Sequence, residues 1–342
     1  MNISFVVPCY NEQDALPETS GQLDRLIQDL IDRGKISNRS SVWLVDDGSS
    51  DATWSVIEGL ADHSERFVGV KLSRNQGHQN ALIAGLFSAD GDAVISLDAD
   101  LQDDLGAIER MVDAHAQGYE IVYGVRHSRE KDTWFKRWTA MRYYALCRSL
   151  GVDLIPNHAD YRLMGRRAIQ ALGAYGEVNL FLRGMIPQLG FPSTSVFYDR
   201  GERIAGESKY PLRKMLSLAL NGITSFSAVP LRLIAAIGGI IFLVSMMMSI
   251  WVLGVRLFGS SAVPGWASTT LPIYVLGGVQ LFCMGVIGEY VAKIYLETKR
   301  RPRFFIEQVR RGGKPVKVSN GATVMSQSPH ARVISTDCPT SS

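Results

Sequence analysis

The chain has 342 residues, which is more than one ordinary domain needs. Its 36 basic and 33 acidic residues nearly cancel, and the formal net charge of +3 argues against a general binder of nucleic acid or another polyanion. The four cysteines form no C-x-x-C pair and have no histidine nearby in sequence, which argues against zinc and indicates reduced thiols.

The first part of the chain alternates short apolar runs with longer mixed segments. The apolar runs are rich in valine and isoleucine and predict buried strands at Ile3–Val7, Val42–Val45, Val68–Lys71, Ala93–Leu97 and Ile121–Tyr123. The segments between them predict helices at Asp14–Asp32, Thr53–His63, Asn80–Ser88 and Asp104–His115. Repeated strand–helix units imply an α/β domain whose mainly parallel sheet is covered by helices on both faces.

Polar residues follow each of the first four predicted strands. The sequences are PCYNE, DDGSSD, SRNQG and DADLQ, in chain order. Ligands bind an open parallel sheet beyond the carboxyl ends of its strands, so these four segments are expected to meet at one edge. Loops are polar in general, but that tendency does not explain pairs of aspartates at two successive strand ends.

The fourth of these segments brings acidic residues close together. Asp98 and Asp100 reach one ligand if the chain turns sharply where the strand ends, and a hard cation would relieve their mutual repulsion. Carboxylates together with the amide oxygen of Gln102 favour Mg²⁺ or Mn²⁺ over zinc. Because Mg²⁺ usually binds through few protein groups plus substrate phosphates, a diphosphate is the natural remaining ligand.

Other phosphate-binding motifs are absent from the sequence. It contains no G-x-x-x-x-G-K-[ST], and no G-x-G-x-x-G follows the first strand. This argues against NTPases and dinucleotide-dependent oxidoreductases and leaves a nucleoside diphosphate held by a metal. In such a site Asp46 can accept a hydrogen bond from a ring N–H of the base, and Pro8 and Tyr10 can line the base and ribose.

Two long uncharged segments follow in the later part of the chain. Leu233–Val255 and Leu257–Gly288 are each long enough to cross a bilayer, which needs about 20 apolar residues. Basic residues flank the pair on both sides, at Arg213, Lys214, Arg232, Lys293, Lys299, Arg300, Arg301 and Arg303. The positive-inside rule therefore predicts a multi-pass protein of the cell (inner) membrane with its N-terminal domain and tail in the cytoplasm.

Two further segments have the composition of membrane-surface helices. Residues 211–230 place apolar and basic residues on opposite helical faces, and residues 131–150 mix tryptophan and tyrosine with lysine and arginine. Ordinary amphipathic core helices stay open as an alternative. The resulting division is a domain at 1–210, an interfacial helix at 211–230, two transmembrane helices at 231–296, and a basic segment with a disordered tail at 297–342.

The ordered motifs VVPCYNE, LVDDGSSD, RNQGH and LDADLQ resemble the nucleotide-sugar domain of the inverting family 2 glycosyltransferases, which has the Rossmann-like GT-A fold. The motifs YGVR, ADYRLM and RIAGESKY, followed by two apolar segments, narrow the resemblance. Together they are similar to the polyprenyl-phosphate glycosyltransferases, a group that includes dolichyl-phosphate mannose synthases and bacterial undecaprenyl-phosphate glucosyltransferases. The resemblance extends to about residue 305.

The resemblance implies a role for each matching residue. Binding of the nucleotide sugar is implied for Pro8, Tyr10, Glu12, Asp46, Asp47, Ser49, Asn75 and Asp98. Metal binding is implied for Asp98, Asp100 and Gln102, and contact with the acceptor phosphate for Arg126, Arg137, Arg203 and Lys209. Asp100 and Asp160 are the candidate catalytic residues; Asp160 is assigned to positioning, and a role as a base stays open.

The expected activity is that of a metal-dependent hexosyltransferase of cell-envelope glycan biosynthesis. A lipid monophosphate, whose second pKa is about 6, is largely dianionic at neutral pH and needs little help from a general base. The first-choice donor is UDP-glucose and the first-choice acceptor is undecaprenyl phosphate. Open alternatives are a mannose or amino-sugar transferase, a processive polysaccharide synthase, and a non-catalytic membrane scaffold or lipid-sugar translocator. The sequence leaves a homo-oligomer open.

Overall fold

The computed structural model describes residues 1–126, 158–177, 181–199, 266–299, 301–316 and 331–333, with short stretches between 231 and 250. The chain divides into two compact units. The first contains residues 1–145, 153–209 and 300–342, and the second contains residues 146–152 and 210–299.

Ten strands of the described residues form one mixed sheet in the first unit. They are β1 (Ile3–Cys9), β2 (Ser41–Asp46), β3 (Phe67–Leu72), β4 (Ala93–Ser96), β5 (Ile121–Arg126), β6 (His158–Gly165), β7 (Ser193–Tyr198), β8 (Phe304–Arg311), β9 (Lys314–Pro315) and β10 (Ala331–Val333). Their order is β10-β8-β3-β2-β1-β4-β6-β5-β7, with β9 paired to β8. The first four strands are mutually parallel, whereas β6 runs antiparallel to β4 and β5.

Six helices accompany this sheet in the described part of the first unit, and each buries apolar residues. They are α1 (Leu16–Asp32), α2 (Thr53–His63), α3 (His78–Ser88), α4 (Ala107–Ala116), α5 (Arg166–Gly173) and α6 (Leu182–Gln188). In α1 the buried residues Leu16, Leu23, Ile27 and Leu30 recur at helical spacing and join the core cluster. Strand β1 is buried along its whole length, which explains its continuous apolar sequence.

The five strands and four helices predicted in the first part of the chain are all present; helix α2 has the predicted bounds, and the other elements have shifted ends. Helix α4 begins at Ala107 instead of Asp104, because the Asp104 carboxylate accepts a hydrogen bond from Gly106 N at 2.8 Å and forms a turn. Helix α3 begins two residues before the predicted Asn80. The antiparallel insertion of β6 makes the sheet mixed, a feature that strand–helix alternation does not reveal.

Strand β8 was not expected from the sequence, which placed residues 297–342 outside the N-terminal domain. It pairs antiparallel with β3, with Val309 opposite Val70. Phe304, Ile306 and Val309 are buried, so this strand adds apolar side chains to the sheet and covers the β3 edge. A domain boundary at residue 210 therefore leaves out a strand of the first unit.

In the second unit, helix α7 spans Trp266–Thr298. Within the described parts of the chain, one helical segment is long and apolar enough to cross a membrane, Val279–Thr298. The helix continues ten residues beyond Gly288, where the predicted apolar segment ended, and includes Glu289 and Lys293. Much of the other predicted span, Leu233–Val255, and all of the interfacial stretches 131–150 and 211–230 lie outside the described residues, so the two-span arrangement stays a prediction.

Candidate functional site

The loops that follow β1 and β2 are joined at the carboxyl edge of the sheet. Asn11 N donates to Ser49 Oγ at 3.0 Å, and Asn11 Oδ1 accepts from Ser50 N at 2.9 Å. Glu12 N donates to Thr53 Oγ1 at 2.8 Å. These contacts hold the two predicted nucleotide-binding segments side by side, as expected for neighbouring parallel strands.

Asp46 and Asp47 are adjacent in sequence but have different surroundings. Asp46 is fully buried; its Oδ1 accepts from Ser49 N at 3.2 Å, while Oδ2 has no hydrogen-bond partner in the described part of the chain. Burial raises the pKa of Asp46. Both oxygens of Asp47 accept backbone hydrogen bonds, from Gln76 N at 2.7 Å and Gly77 N at 2.9 Å. Asp47 thus holds the loop that precedes α3, whereas the ligand contact of Asp46 stays a prediction.

The loop after β2 lies directly against the loop after β3 at Gly48. Gly48 has a φ of +67°, and a Cβ at this position would lie 2.5 Å from Arg74 C and Asn75 N. Glycine is required here because any Cβ would collide with the backbone of Arg74 and Asn75. The predicted ligand contact Asn75 is exposed beside it.

Of the remaining predicted nucleotide contacts, Pro8 is buried in β1 opposite Val45, and Tyr10 is 48% exposed just beyond the end of that strand. An exposed aromatic ring beside a buried carboxylate suits a flat base. Their roles in binding stay predictions.

Asp98 and Asp100 follow β4 on a tight turn. Leu101 has a φ of +44°, its N–H donates to Asp98 O at 3.4 Å, and buried Thr19 donates to Ala99 O at 2.6 Å. Gln102 Nε2 donates to Asp100 Oδ2 at 2.5 Å. The chain thus turns sharply after β4, and a ligand shared by Asp98 and Asp100 stays a prediction.

The carboxylates in this region repel one another. Burial is the main cause that raises the pKa of Asp98 to about 6; Asp160, Asp103 and Asp100 add to it, while His78 opposes it. Burial also raises the pKa of Glu12, with contributions from Asp100 and Asp98. A bound cation would reverse these shifts.

The donor set fits a hard divalent cation with few protein ligands. Mg²⁺ is commonly bound by one or two carboxylates plus substrate phosphates, which Asp98 and Asp100 supply in part. No group of three His, Cys, Asp or Glu side chains arranged for a metal is found among the residues that the structure describes. The contact between Gln102 and Asp100 supports the carboxylate, and a direct metal bond from Gln102 stays a prediction.

Asp160 on β6 is surrounded by cationic groups. Its carboxylate pairs with Arg162 Nη2, with Arg183 Nη2 at 3.3 Å and with His78 Nε2 at 3.6 Å. Burial favours the neutral acid, but the nearby His78 and the charges of Arg162 and Arg183 hold the pKa of Asp160 well below its usual range. A general base works best when its pKa lies near the operating pH, so this geometry favours positioning over proton abstraction.

The three residues that contact Asp160 were not among the predicted site residues; they are His78, Arg162 and Arg183. His78 Nε2 also lies 3.6 Å from Asp98 Oδ1, so the imidazole bridges two carboxylates. Burial opposes its charge, but Asp160 and Asp98 raise the pKa of His78 overall. His78 and Arg162 lie within the motifs RNQGH and ADYRLM, which are a usable signal, whereas no motif marks Arg183.

Arg126, predicted to contact the acceptor phosphate, is bound by two protein side chains, and its contact with the phosphate stays a prediction. Its Nη2 donates to Asp103 Oδ1 at 3.0 Å and its Nε donates to Tyr198 Oη at 3.2 Å. Tyr198 also donates to the same Asp103 oxygen, at 2.5 Å. The other three residues predicted for this role, Arg137, Arg203 and Lys209, lie outside the described residues.

Comparison with known proteins identifies several similar sequences. Residues 4–183 match the profile of glycosyl transferase family 2. The chain is 48% identical over 307 residues to the uncharacterized glycosyltransferase YkoT of Bacillus subtilis, a match that covers 89% of this chain and 91% of the relative. It is 38% identical over 313 residues to the SfII prophage-derived bactoprenol glucosyl transferase of Shigella flexneri, covering 91% and 99%. Among solved structures, glucosyl-3-phosphoglycerate synthase from Mycobacterium tuberculosis, in complex with Mn²⁺, UDP and phosphoglyceric acid, is 19% identical with a TM-score of 0.43, over 65% of this chain and 76% of that one.

Proposed function

Because the chain belongs to glycosyltransferase family 2, we propose that it transfers a hexose from a nucleotide diphosphate sugar to a polyprenyl phosphate at the membrane. The first-choice donor is UDP-glucose and the first-choice acceptor is undecaprenyl phosphate. The similarity to a bactoprenol glucosyl transferase over 99% of that protein's length supports glucose as the transferred sugar and a bactoprenol-based acceptor. The observation that carries the proposal is the tight turn at the carboxyl edge of the sheet that places Asp98 and Asp100 two residues apart, with Gln102 bound to Asp100.

The nucleoside would bind where β1 and β2 end. Asp46 Oδ2, which has no hydrogen-bond partner among the described residues, would accept from the ring N–H of uracil, because leaving a buried acceptor unsatisfied is costly. The exposed ring of Tyr10 would cover the base or ribose. Asp47 and Gly48 would contribute indirectly, by holding the neighbouring loop against this pocket.

The sugar diphosphate would lie beside Asp98 and Asp100. Mg²⁺ or Mn²⁺ bound there would neutralise the charge that develops on the departing nucleoside diphosphate. Asp98 and Asp100 would hold this cation, Gln102 would orient Asp100 through its amide, and His78 would orient Asp98. The sheet edge would then align the anomeric carbon of the sugar for attack.

The acceptor phosphate would react directly as a nucleophile. One of its oxygens forms a bond to the anomeric carbon while the bond from that carbon to the nucleoside diphosphate breaks, and the single displacement inverts the carbon. A dianionic phosphate carries no proton that must be removed, in agreement with the low pKa of Asp160. Asp160 is accordingly proposed as a positioning residue.

The membrane would hold the acceptor at the enzyme. A polyprenyl tail leaves the bilayer at a cost of about 0.8 kcal/mol per CH₂, so the transfer would take place at the surface. The apolar segment Val279–Thr298 supports a membrane anchor. The multi-pass topology and the cytoplasmic orientation of the catalytic domain belong to the same proposal and rest on the flanking basic residues.

A radiochemical assay tests the proposed function. The full-length protein in detergent is mixed with labelled UDP-glucose and undecaprenyl phosphate, and label in the extracted lipid is counted with Mg²⁺, with Mn²⁺ and with a chelator. We expect labelled lipid only with a divalent metal, no label with Asp98→Asn, and full activity with Asp32→Asn, an exposed acid at the end of α1. Equal labelling in the chelator contradicts the metal, and lipid label from another nucleotide sugar alone contradicts the choice of donor. Absence of lipid label with every nucleotide sugar tested contradicts the transfer itself.

A further inference from the structure

Arg183 lies in the first turn of α6 and reaches the candidate site from a part of the chain that carries no recognised motif. Leu182 N donates to Gln79 Oε1 at 3.2 Å, so the first turn of α6 is tied to the first turn of α3. This contact places Arg183 in the group of charged residues around His78 and Asp160. Arg183 Nη2 lies 3.3 Å from Asp160 Oδ2.

The two arginines that contact Asp160 differ in their exposure. The side chain of Arg162 is 1% exposed, whereas that of Arg183 is 44% exposed. Apart from the Nη2 contact with Asp160, the donors of Arg183 meet no hydrogen-bond partner in the described parts of the chain. A guanidinium carries five N–H donors in a planar fork, so Arg183 keeps donors for a ligand while one end of its fork is held by Asp160.

The charges around Arg183 indicate whether its ligand is an anion or a cation. Arg162 already provides Asp160 with a buried counter-charge, so Arg183 adds a surplus positive charge on this side of the site. The negative charge of Asp98 is met by a different group, because His78 Nε2 lies 3.6 Å from its Oδ1. An anion with several oxygens therefore suits Arg183, and the fork geometry of arginine matches phosphate by two parallel hydrogen bonds.

We propose that Arg183 binds a phosphate group of one of the two substrates and that Asp160 holds its guanidinium in position. The inference rests on the proposed function for the identity of those substrates. The phosphate belongs either to the diphosphate of the nucleotide sugar or to the monophosphate of the lipid acceptor. Both sources present the same oxygens, and separate binding measurements distinguish them.

The test compares Arg183→Gln and Arg183→Lys with the matched control Arg167→Gln. Arg167 lies on α5, is 75% exposed and pairs with Glu120 at 3.5 Å, so its removal takes away a similar charge outside the cluster. For each full-length variant, calorimetry measures the Kd for UDP and for undecaprenyl phosphate in detergent micelles, and kinetics measure KM for each substrate. We expect Arg183→Gln to weaken binding of one substrate by about tenfold or more, since a charge-assisted hydrogen bond is lost. Arg183→Lys should recover part of that loss, because it keeps the charge without the fork.

The binding measurements also assign the source of the phosphate. A higher Kd for UDP places Arg183 on the donor diphosphate, and a higher Kd for undecaprenyl phosphate places it on the acceptor. The inference is overturned if both Kd values stay within about twofold of the wild type, as at Arg167, or if the loss accompanies a lowered unfolding temperature. A wild-type protein that binds UDP or lipid phosphate but transfers no sugar contradicts the proposed function alone, because the Kd values still report on Arg183.

Discussion

The guanidinium of Arg126 is bound to the buried carboxylate of Asp103, with Nη2 to Oδ1 at 3.0 Å. The Asp103 side chain is 6% exposed and that of Arg126 is 29% exposed, so the pair lies largely inside the protein. This pair, joined by Tyr198, links the end of β5 to the loop that follows Asp98 and Asp100. Arg126 therefore helps to hold this loop in place, whatever its predicted contact with the acceptor phosphate.

Arg126→Gln should lower the free energy of unfolding by about 2 kcal/mol, because it leaves a buried carboxylate without its cation. Chemical denaturation of the full-length protein measures this loss. Combining the change with Asp103→Asn should recover much of the stability, since the unpaired charge is then removed. A raised KM for the lipid phosphate with unchanged stability would show instead that Arg126 contacts the acceptor.

The adjacent acids Asp46 and Asp47 should respond differently to the same substitution. Asp46→Asn should weaken UDP binding by about tenfold, because a charged acceptor for the base is lost. It should not reduce stability at neutral pH, since burial raises the pKa of Asp46 above its unfolded value and the ionised form is disfavoured in the fold. Calorimetry with UDP and thermal unfolding measure the two effects.

Asp47→Asn is the matched comparison. Its two oxygens accept from Gln76 N and Gly77 N, and an amide nitrogen cannot accept the second of these bonds. We expect a loss of about 2 kcal/mol in stability. Equal effects of both substitutions on UDP binding, with no difference in stability, would contradict the division of roles.

Metal binding should depend on the protonation of Asp98. Without metal the pKa of this group is about 6, so a proton competes with the cation below that pH. The affinity for Mn²⁺ should fall by about tenfold per pH unit below about 6, and this dependence should be lost in Asp98→Asn. Calorimetric titration with Mn²⁺ between pH 5 and pH 8 provides the measurement, at roughly half-unit steps, with Asp32→Asn as the control.

The raised pKa of Asp98 also predicts how the stability of the metal-free protein depends on pH. The folded pKa of Asp98 lies above its ordinary value of 3.8, so between those two values the folded state binds more protons than the unfolded state. The contribution of Asp98 to stability should therefore fall as the pH rises from about 4 to about 6. At neutral pH, Asp98→Asn should raise the unfolding temperature by about 2 °C in the absence of metal. A lower unfolding temperature for Asp98→Asn would contradict the repulsion among the carboxylates.

Strand β8 should be required for the stability of the first unit. Ile306 is 1% exposed on this strand, and Ile306→Ala should lower the free energy of unfolding by about 2–4 kcal/mol because a cavity forms. Val316, 41% exposed just beyond β9, is the matched control, and Val316→Ala should be nearly neutral. Limited proteolysis and chemical denaturation measure the stability of both variants. Equal losses for Ile306→Ala and Val316→Ala would contradict a stabilising role for β8.

Local sequence patterns were sufficient to predict much of this protein. The apolar runs of β1 to β5 form strands because buried parallel strands need apolar residues on both faces. The aspartates that follow β2 and β4 lie at the carboxyl edge because parallel strands end on the same side. The order of the motifs was enough to identify the glycosyltransferase family, since each motif follows a strand of known position.

Only the tertiary structure decided which polar atoms are satisfied and which stay available to a ligand. Asp46 and Asp47 look equivalent in sequence, yet only Asp47 has both oxygens bound to backbone N–H groups, because the loop after β3 folds over it. Arg183 reaches Asp160, and Phe304 and Ile306 reach the core, through contacts between segments that are far apart in the chain. Residue types and spacing reflect local geometry, whereas burial and pairing depend on which distant segments pack together, and these determine the pKa, the exposure and hence the chemical role of each group.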